Sequence, residues 1–118
     1  MYSELLLDHF RNPRNAGELP APAISVEVVN PACGDILRLS ATFLDERVMQ
    51  ARYKVRGCTA SIAAGSALTE WMEGKTLGEL GSLQASDIEA LVGGLPAASR
   101  HAAVLCVDGV RKLISRTG

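Results

Sequence analysis

The sequence contains few aromatic residues and no excess of basic ones. Two Phe, two Tyr and one Trp occur among 118 residues, and 12 Lys and Arg balance 13 Asp and Glu, so that the formal net charge is −1. A surface that binds nucleic acid needs a basic stripe with aromatic side chains that stack on bases. Because the sequence lacks both, we expect no nucleic-acid partner.

Long apolar runs are also lacking. No run approaches the ~18 residues of a membrane span, and residues 1–4 lack the basic region of a signal peptide. The three cysteines are widely spaced and contain no C-x-x-C motif, unlike the disulfide framework of a secreted protein or a thiol redox enzyme. We therefore expect a cytoplasmic protein without a membrane partner, whose thiols are ligands, nucleophiles or buried packing groups.

Length and composition predict one folded domain. The chain is long enough for a single hydrophobic core, and 47% of its residues are apolar, which argues against disorder. No internal repeat or interdomain linker is apparent. We expect a single domain over residues 1–118.

Hydrophobic periodicity predicts an α+β fold. Apolar and polar residues alternate in three consecutive segments (24–29, 36–44 and 48–56), which favours an antiparallel meander. Helical patterns cover segments 2–11, 59–73, 76–80, 88–92 and 97–115. This order predicts a small three-stranded antiparallel sheet with helices packed on one face, an N-terminal helix and a long C-terminal helix.

The segment 30–35 (Asn-Pro-Ala-Cys-Gly-Asp) connects the first two predicted strands. Pro31 and Gly34 favour a tight turn, so that Cys33 and Asp35 can point into one cavity. Zn²⁺ and Fe²⁺ both tolerate a thiolate beside a carboxylate. The alternative is a strand-connecting loop with an incidental free cysteine.

Cys58 and His101 lie near the starts of two predicted helices. The first N–H groups of a helix stabilise a thiolate, although Cys58 is also compatible with a small buried residue. His101 can bring an imidazole to the same end of the sheet as Cys33 and Cys58. Cys106 lies within an apolar stripe and is predicted to belong to the core. His9 is predicted to be a surface or capping residue rather than a ligand.

Five motifs occur along the chain in a characteristic order. They are the opening segment 2–15, the Pro-Ala-Cys-Gly-Asp loop at 31–35, Gly57-Cys58 followed by small residues and Thr-Glu-Trp at 69–71, Gly-Lys-Thr-Leu at 74–77, and Leu-Pro at 95–96 with His101. With these motifs, nearly the whole chain resembles the iron–sulfur cluster assembly scaffold family of the IscU/NifU N-terminal type.

The resemblance implies a pocket ringed by three cysteines, an aspartate and a histidine, which binds Fe²⁺ or Zn²⁺ and holds a transient [2Fe–2S] cluster. When the family's ligand positions are matched to this sequence, the resemblance implies that metal and cluster are bound by Cys33, Asp35, Cys58 and His101. It also implies sulfur delivery by a cysteine desulfurase, cluster transfer to acceptor apoproteins, and a monomer or weak homo-oligomer. Such a protein transfers a cluster rather than converting a substrate, so we expect it not to be an enzyme.

The chain departs from the family pattern at two points. The third cysteine of the family directly follows the histidine, where this chain has Ala102. Cys106 lies roughly 6 Å further along the helix, so direct replacement requires the helix to slide or unwind. The Leu-Pro-Pro-Val-Lys chaperone segment of the IscU branch is Leu-Pro-Ala-Ala-Ser here, at 95–99, which argues against a dedicated chaperone. The alternative function is therefore a divergent zinc-binding member, or a desulfurase-binding module that carries no cluster.

Overall fold

The computed structural model describes residues 1–117, which form a three-stranded antiparallel sheet, five α-helices and one 3₁₀ turn. The helices are α1 Glu4–Arg11, α2 Thr59–Met72, α3 Leu77–Gly81, α4 Ala85–Leu91 and α5 His101–Ser115, the 3₁₀ turn is Ala97–Ser99, and the strands are β1 Ile24–Val29, β2 Ile36–Leu44 and β3 Arg47–Arg56. The predicted α+β fold is confirmed. Within residues 1–117, no helix is long and apolar enough to cross a membrane.

The sheet follows the predicted alternation of apolar and polar residues. Its order is β1-β2-β3, and each neighbouring pair is antiparallel. Leu37, Leu39 and Ala41 of β2 are buried, as a period of two predicts. Asp45 and Glu46 have positive φ values of 52° and 61°, which suit the two-residue turn of a twisted hairpin between β2 and β3. The β1–β2 loop therefore lies at the opposite end of the sheet.

Helices α2 and α5 pack closely on the sheet because each has a glycine at the contact. A Cβ on Gly65 would lie 2.5 Å from Cδ2 of Tyr53, and one on Gly109 would lie 2.8 Å from Cδ2 of Leu37. Leu68 is fully buried towards the far end of α2. Small residues thus set the distance between helix and sheet, as predicted.

The segment between α1 and β1 adds to the edge of the sheet. The Tyr53 N–H donates to the carbonyl of Asn15 over 3.0 Å, and the Gly17 N–H donates to the carbonyl of Tyr53 over 2.8 Å. The Leu19 N–H donates to the hydroxyl of Ser40. Ser40 is consequently buried, although it lies on the face predicted to be polar.

The structure corrects the predicted start of the last helix and the predicted position of His9. The helix begins at His101 rather than at residue 97, because the 3₁₀ turn precedes it. His9 is 3% exposed, and its Nδ1 lies 2.8 Å from Oγ of Ser66, because α1 packs this face onto α2. Burial and the neighbouring Arg14 cation lower the pKa of His9. A single histidine in a short helix does not reveal such a distant neighbour.

We predict that Gly65→Ala destabilises the fold. The new Cβ would collide with the Tyr53 ring, and overpacking of this kind costs about 1–3 kcal/mol. Gly78→Ala is the matched control, since Gly78 is exposed and the nearest neighbour of its Cβ would be Thr76 Oγ1 at 3.8 Å. Urea titration should give a lower free energy of unfolding for Gly65→Ala and an unchanged or higher one for Gly78→Ala. Equal values for the two variants would contradict the close packing of α2.

Candidate metal centre

The β1–β2 loop presents Cys33 and Asp35 at one end of the sheet. The Asn30 N–H donates to the carbonyl of Asp35 over 2.8 Å, and the Gly34 N–H donates to the carbonyl of Asn30 over 2.7 Å. Gly34 has a φ of +78°, which glycine adopts without steric cost. The Asn30 side chain accepts a further hydrogen bond from the Cys33 N–H at 3.4 Å. The predicted tight turn is confirmed, and it leaves Cys33 exposed and Asp35 buried.

Asp35 is 7% exposed, and groups at the start of α2 hold its carboxylate. Its Oδ2 accepts a hydrogen bond from the Ser61 hydroxyl over 2.7 Å and one from the Cys58 backbone N–H over 3.3 Å. Gly57 leaves the space that the carboxylate needs, because a Cβ there would lie 2.4 Å from Cγ of Asp35. These contacts fix the carboxylate between the end of the β1–β2 loop and α2.

The charge of Asp35 follows from two opposed effects. Burial raises the pKa of this carboxyl, but hydrogen bonds from Ser61, from the Cys58 backbone amide and from the Cys58 and Cys33 side chains together outweigh burial, so that the pKa lies below its ordinary value. Asp35 is therefore ionised at neutral pH. In this state the carboxylate only accepts hydrogen bonds, and it can offer its lone pairs to a cation.

Cys58 and His101 meet beside this carboxylate. Cys58 is the N-cap residue of α2, and its Sγ lies 3.4 Å from Nε2 of His101 and 3.4 Å from Oγ of Ser61. The same Nε2 lies 3.6 Å from Oδ2 of Asp35. One ligand atom from each of Cys33, Asp35 and His101 lies within 4.8 Å of the others. The structure brings the four predicted residues together, and their role as ligands stays a prediction.

The donor set fits Zn²⁺ or Fe²⁺. Two sulfurs, one imidazole nitrogen and one carboxylate oxygen provide the four ligands of a tetrahedral site. Ligand atoms around a tetrahedral zinc ion lie roughly 3.3–3.8 Å apart. The separations of Nε2 of His101 from Sγ of Cys58 and from Oδ2 of Asp35, 3.4 Å and 3.6 Å, match this spacing. The ligand atoms of Cys33, Asp35 and His101 lie within 4.8 Å of one another, and Cys58 adjoins this group through its 3.4 Å contact with His101.

Cys106 lies outside this site. It is 2% exposed within the main core, and burial raises the pKa of its thiol to about 12. Ala102, which stands where the resemblance implies a third cysteine, is fully buried as well. The predicted core position of Cys106 is confirmed, and among residues 1–117 the candidate centre contains two thiols.

Ser61 and Gly57 also belong to the centre, although the sequence analysis did not identify them as site residues. In the sequence, Ser61 is one of many small residues in a helical segment. Its spacing from Cys58 is a usable signal, because residues three apart lie on the same side of a helix. The contact of Gly57 with Asp35 has no such local signal.

Comparison with known proteins identifies the family. A family model described as "NifU-like N terminal domain" matches residues 1–116. The chain is 36% identical over 118 residues to "Iron-sulfur cluster assembly scaffold protein IscU" of Escherichia coli strain K12, with 97% of this chain and 91% of that protein covered. It is 35% identical over 114 residues to "Iron-sulfur cluster assembly scaffold protein IscU 1" of Archaeoglobus fulgidus, with 97% and 74% covered. The chain belongs to the NifU-like N-terminal domain family, which confirms the resemblance.

A solved structure shares the fold. The structure of a nitrogen-fixing NifU-like protein (N-terminal) from Brucella abortus matches with a TM-score of 0.76 over 98% of this chain and 95% of that chain. The two sequences are 19% identical, so the likeness concerns the fold alone. It agrees with the predicted arrangement of a small sheet, an N-terminal helix and a long C-terminal helix.

We predict that Gly57→Ala displaces the Asp35 carboxylate and destabilises the protein. The φ of Gly57 is not positive, so alanine is allowed there and the effect comes from the new Cβ, 2.4 Å from Cγ of Asp35. Overpacking of this kind costs about 1–3 kcal/mol. Asp35→Ala removes the obstructing group, so Gly57→Ala should cost much less in that background when both are unfolded with urea. An equal cost in the two backgrounds would contradict the contact.

Proposed function

We propose that this chain is a scaffold for iron–sulfur cluster assembly, which binds Fe²⁺ or Zn²⁺ and carries a transient [2Fe–2S] cluster at Cys33, Asp35, Cys58 and His101. The main support is the convergence of two thiols, a carboxylate and an imidazole, with separations of 3.4 Å and 3.6 Å around Nε2 of His101. Family membership and the scaffold names of relatives at 35–36% identity add to this support.

The ligand set suits a cargo that is held and then released. Iron–sulfur clusters are usually held by cysteine thiolates, and ligands of other types change their properties. Asp35 contributes a harder oxygen donor than a thiolate, which makes it the exchangeable ligand for a cluster. Cys33 is exposed, so a partner protein can reach the site from solvent.

The proposed partners follow from this role. A cysteine desulfurase supplies the sulfur, and acceptor apoproteins receive the cluster. The protein acts as one domain over residues 1–118, in the cytoplasm, as a monomer or weak homo-oligomer and without enzymatic turnover. The altered segment 95–99 argues against a dedicated chaperone.

A second candidate function is favoured by Ala102 and by the burial of Cys106. With two thiols at the centre, the chain has one fewer than the family pattern. Such a site still offers four ligands to Zn²⁺ when Asp35 and His101 are included. In this case the protein binds zinc or docks a desulfurase without carrying a cluster.

Metal and acid-labile sulfide content test the proposal. Both are measured after anaerobic purification and after reconstitution with iron and sulfide, in the wild type, Cys106→Ala and Cys58→Ser. We predict equal amounts of iron and sulfide with visible absorption in the wild type and in Cys106→Ala, because Cys106 lies in the core. Cys58→Ser should lose both, because it removes one of the two thiolates.

Two other results of these measurements would contradict the proposal. Zinc without sulfide, unchanged by reconstitution, would contradict the scaffold role and favour the zinc-binding alternative. Loss of the cluster in a folded Cys106→Ala variant, verified by circular dichroism, would contradict the proposed ligand set.

A further inference from the structure

Ser61 lies in the first turn of α2 and faces the candidate metal centre. The residue is 1% exposed. Its hydroxyl donates to Oδ2 of Asp35 over 2.7 Å and lies 3.4 Å from the thiol of Cys58, from which it can accept. Ser61 therefore contacts two of the four proposed ligands, although it is not itself among them.

Hydrogen bonding within α2 does not explain why position 61 carries a hydroxyl. Another buried hydroxyl of α2, that of Thr69, donates to the backbone carbonyl of Gly65 within the same helix. Ser61 instead donates to a carboxylate 26 residues away in the chain. Alanine, which occupies the neighbouring buried positions 60 and 63, is the better helix former. The contact with Asp35 is therefore the feature that distinguishes Ser61 from an alanine at this position.

We propose that Ser61 is a positioning residue that holds the Asp35 carboxylate in the orientation that binds metal. The inference rests on the proposed function, since it concerns the same site. Without the hydroxyl, Oδ2 keeps the longer hydrogen bond of 3.3 Å from the Cys58 N–H. The carboxylate then turns more freely about its terminal torsion, whose preferences are broad.

Cobalt(II) is a suitable probe, because cobalt–thiolate absorption reports both binding and sulfur ligation. Anaerobic titrations compare the wild type, Ser61→Ala and Ser66→Ala. Ser66 is the matched control, a buried serine of the same helix whose hydroxyl lies 2.8 Å from Nδ1 of His9 instead. Groups that hydrogen-bond to metal ligands typically contribute 10–100-fold in affinity, so we expect the Kd to rise by about that factor in Ser61→Ala. Ser66→Ala should leave the Kd unchanged.

A double-mutant cycle with Asp35→Ala tests whether Ser61 acts through Asp35. Asp35→Ala keeps two thiols and an imidazole, so weaker cobalt binding remains measurable. If Ser61 acts through Asp35, Ser61→Ala causes no further loss of affinity in this background. Thermal unfolding of the metal-free variants verifies that each is folded at the titration temperature.

Two results would overturn the inference alone. One is an unchanged Kd in Ser61→Ala, and the other is a loss of affinity as large in the Asp35→Ala background as in the wild type. Failure of the proposed function has a different signature. A wild type without cobalt–thiolate absorption would overturn the metal site itself, and the role of Ser61 with it.

Discussion

The buried Asp35 carboxylate connects the parts of the chain that form the candidate centre. It ends the β1–β2 loop, contacts Gly57 after β3, and accepts hydrogen bonds from Ser61 and Cys58 at the start of α2. A buried charge is stable only where donors or a cation face it. The site therefore depends on the position of α2, which in turn depends on the close contact of Gly65 with the sheet.

This arrangement divides the centre into a fixed part and an accessible part. Asp35 is held by Ser61 and Gly57 within the packed end of the sheet, whereas Cys33 lies on an exposed turn. Cys58 and His101 lie between them, half-buried. A site with one open side suits a protein that receives its cargo from one partner and passes it to another. The missing third thiol is the main difference from the family pattern implied by the resemblance, and Cys106 is buried in the core.

Much of the fold and part of the candidate site could be predicted from local sequence patterns. The alternation in the strands predicted the sheet. The turn at Pro31 and Gly34 and the helix starts indicated that these side chains could lie at one end, and the family resemblance supplied the set of four candidate ligands. The hydrogen bond between Ser61 and Asp35 could not be predicted, because its partners are 26 residues apart and meet only through helix packing. The burial of His9 escaped prediction for the same reason, since its partner Ser66 is 57 residues away.

X-ray absorption spectroscopy of the zinc-loaded protein would test the ligand set most directly, because it counts the sulfur neighbours of the metal. Cys33, Cys58, Asp35 and His101 should give a first shell of two sulfurs and two nitrogen or oxygen atoms. A shell with three sulfurs would mean that Cys106 leaves the core to bind metal. A shell without sulfur would mean that the thiols are not ligands. Either result would contradict a centre built from these four residues.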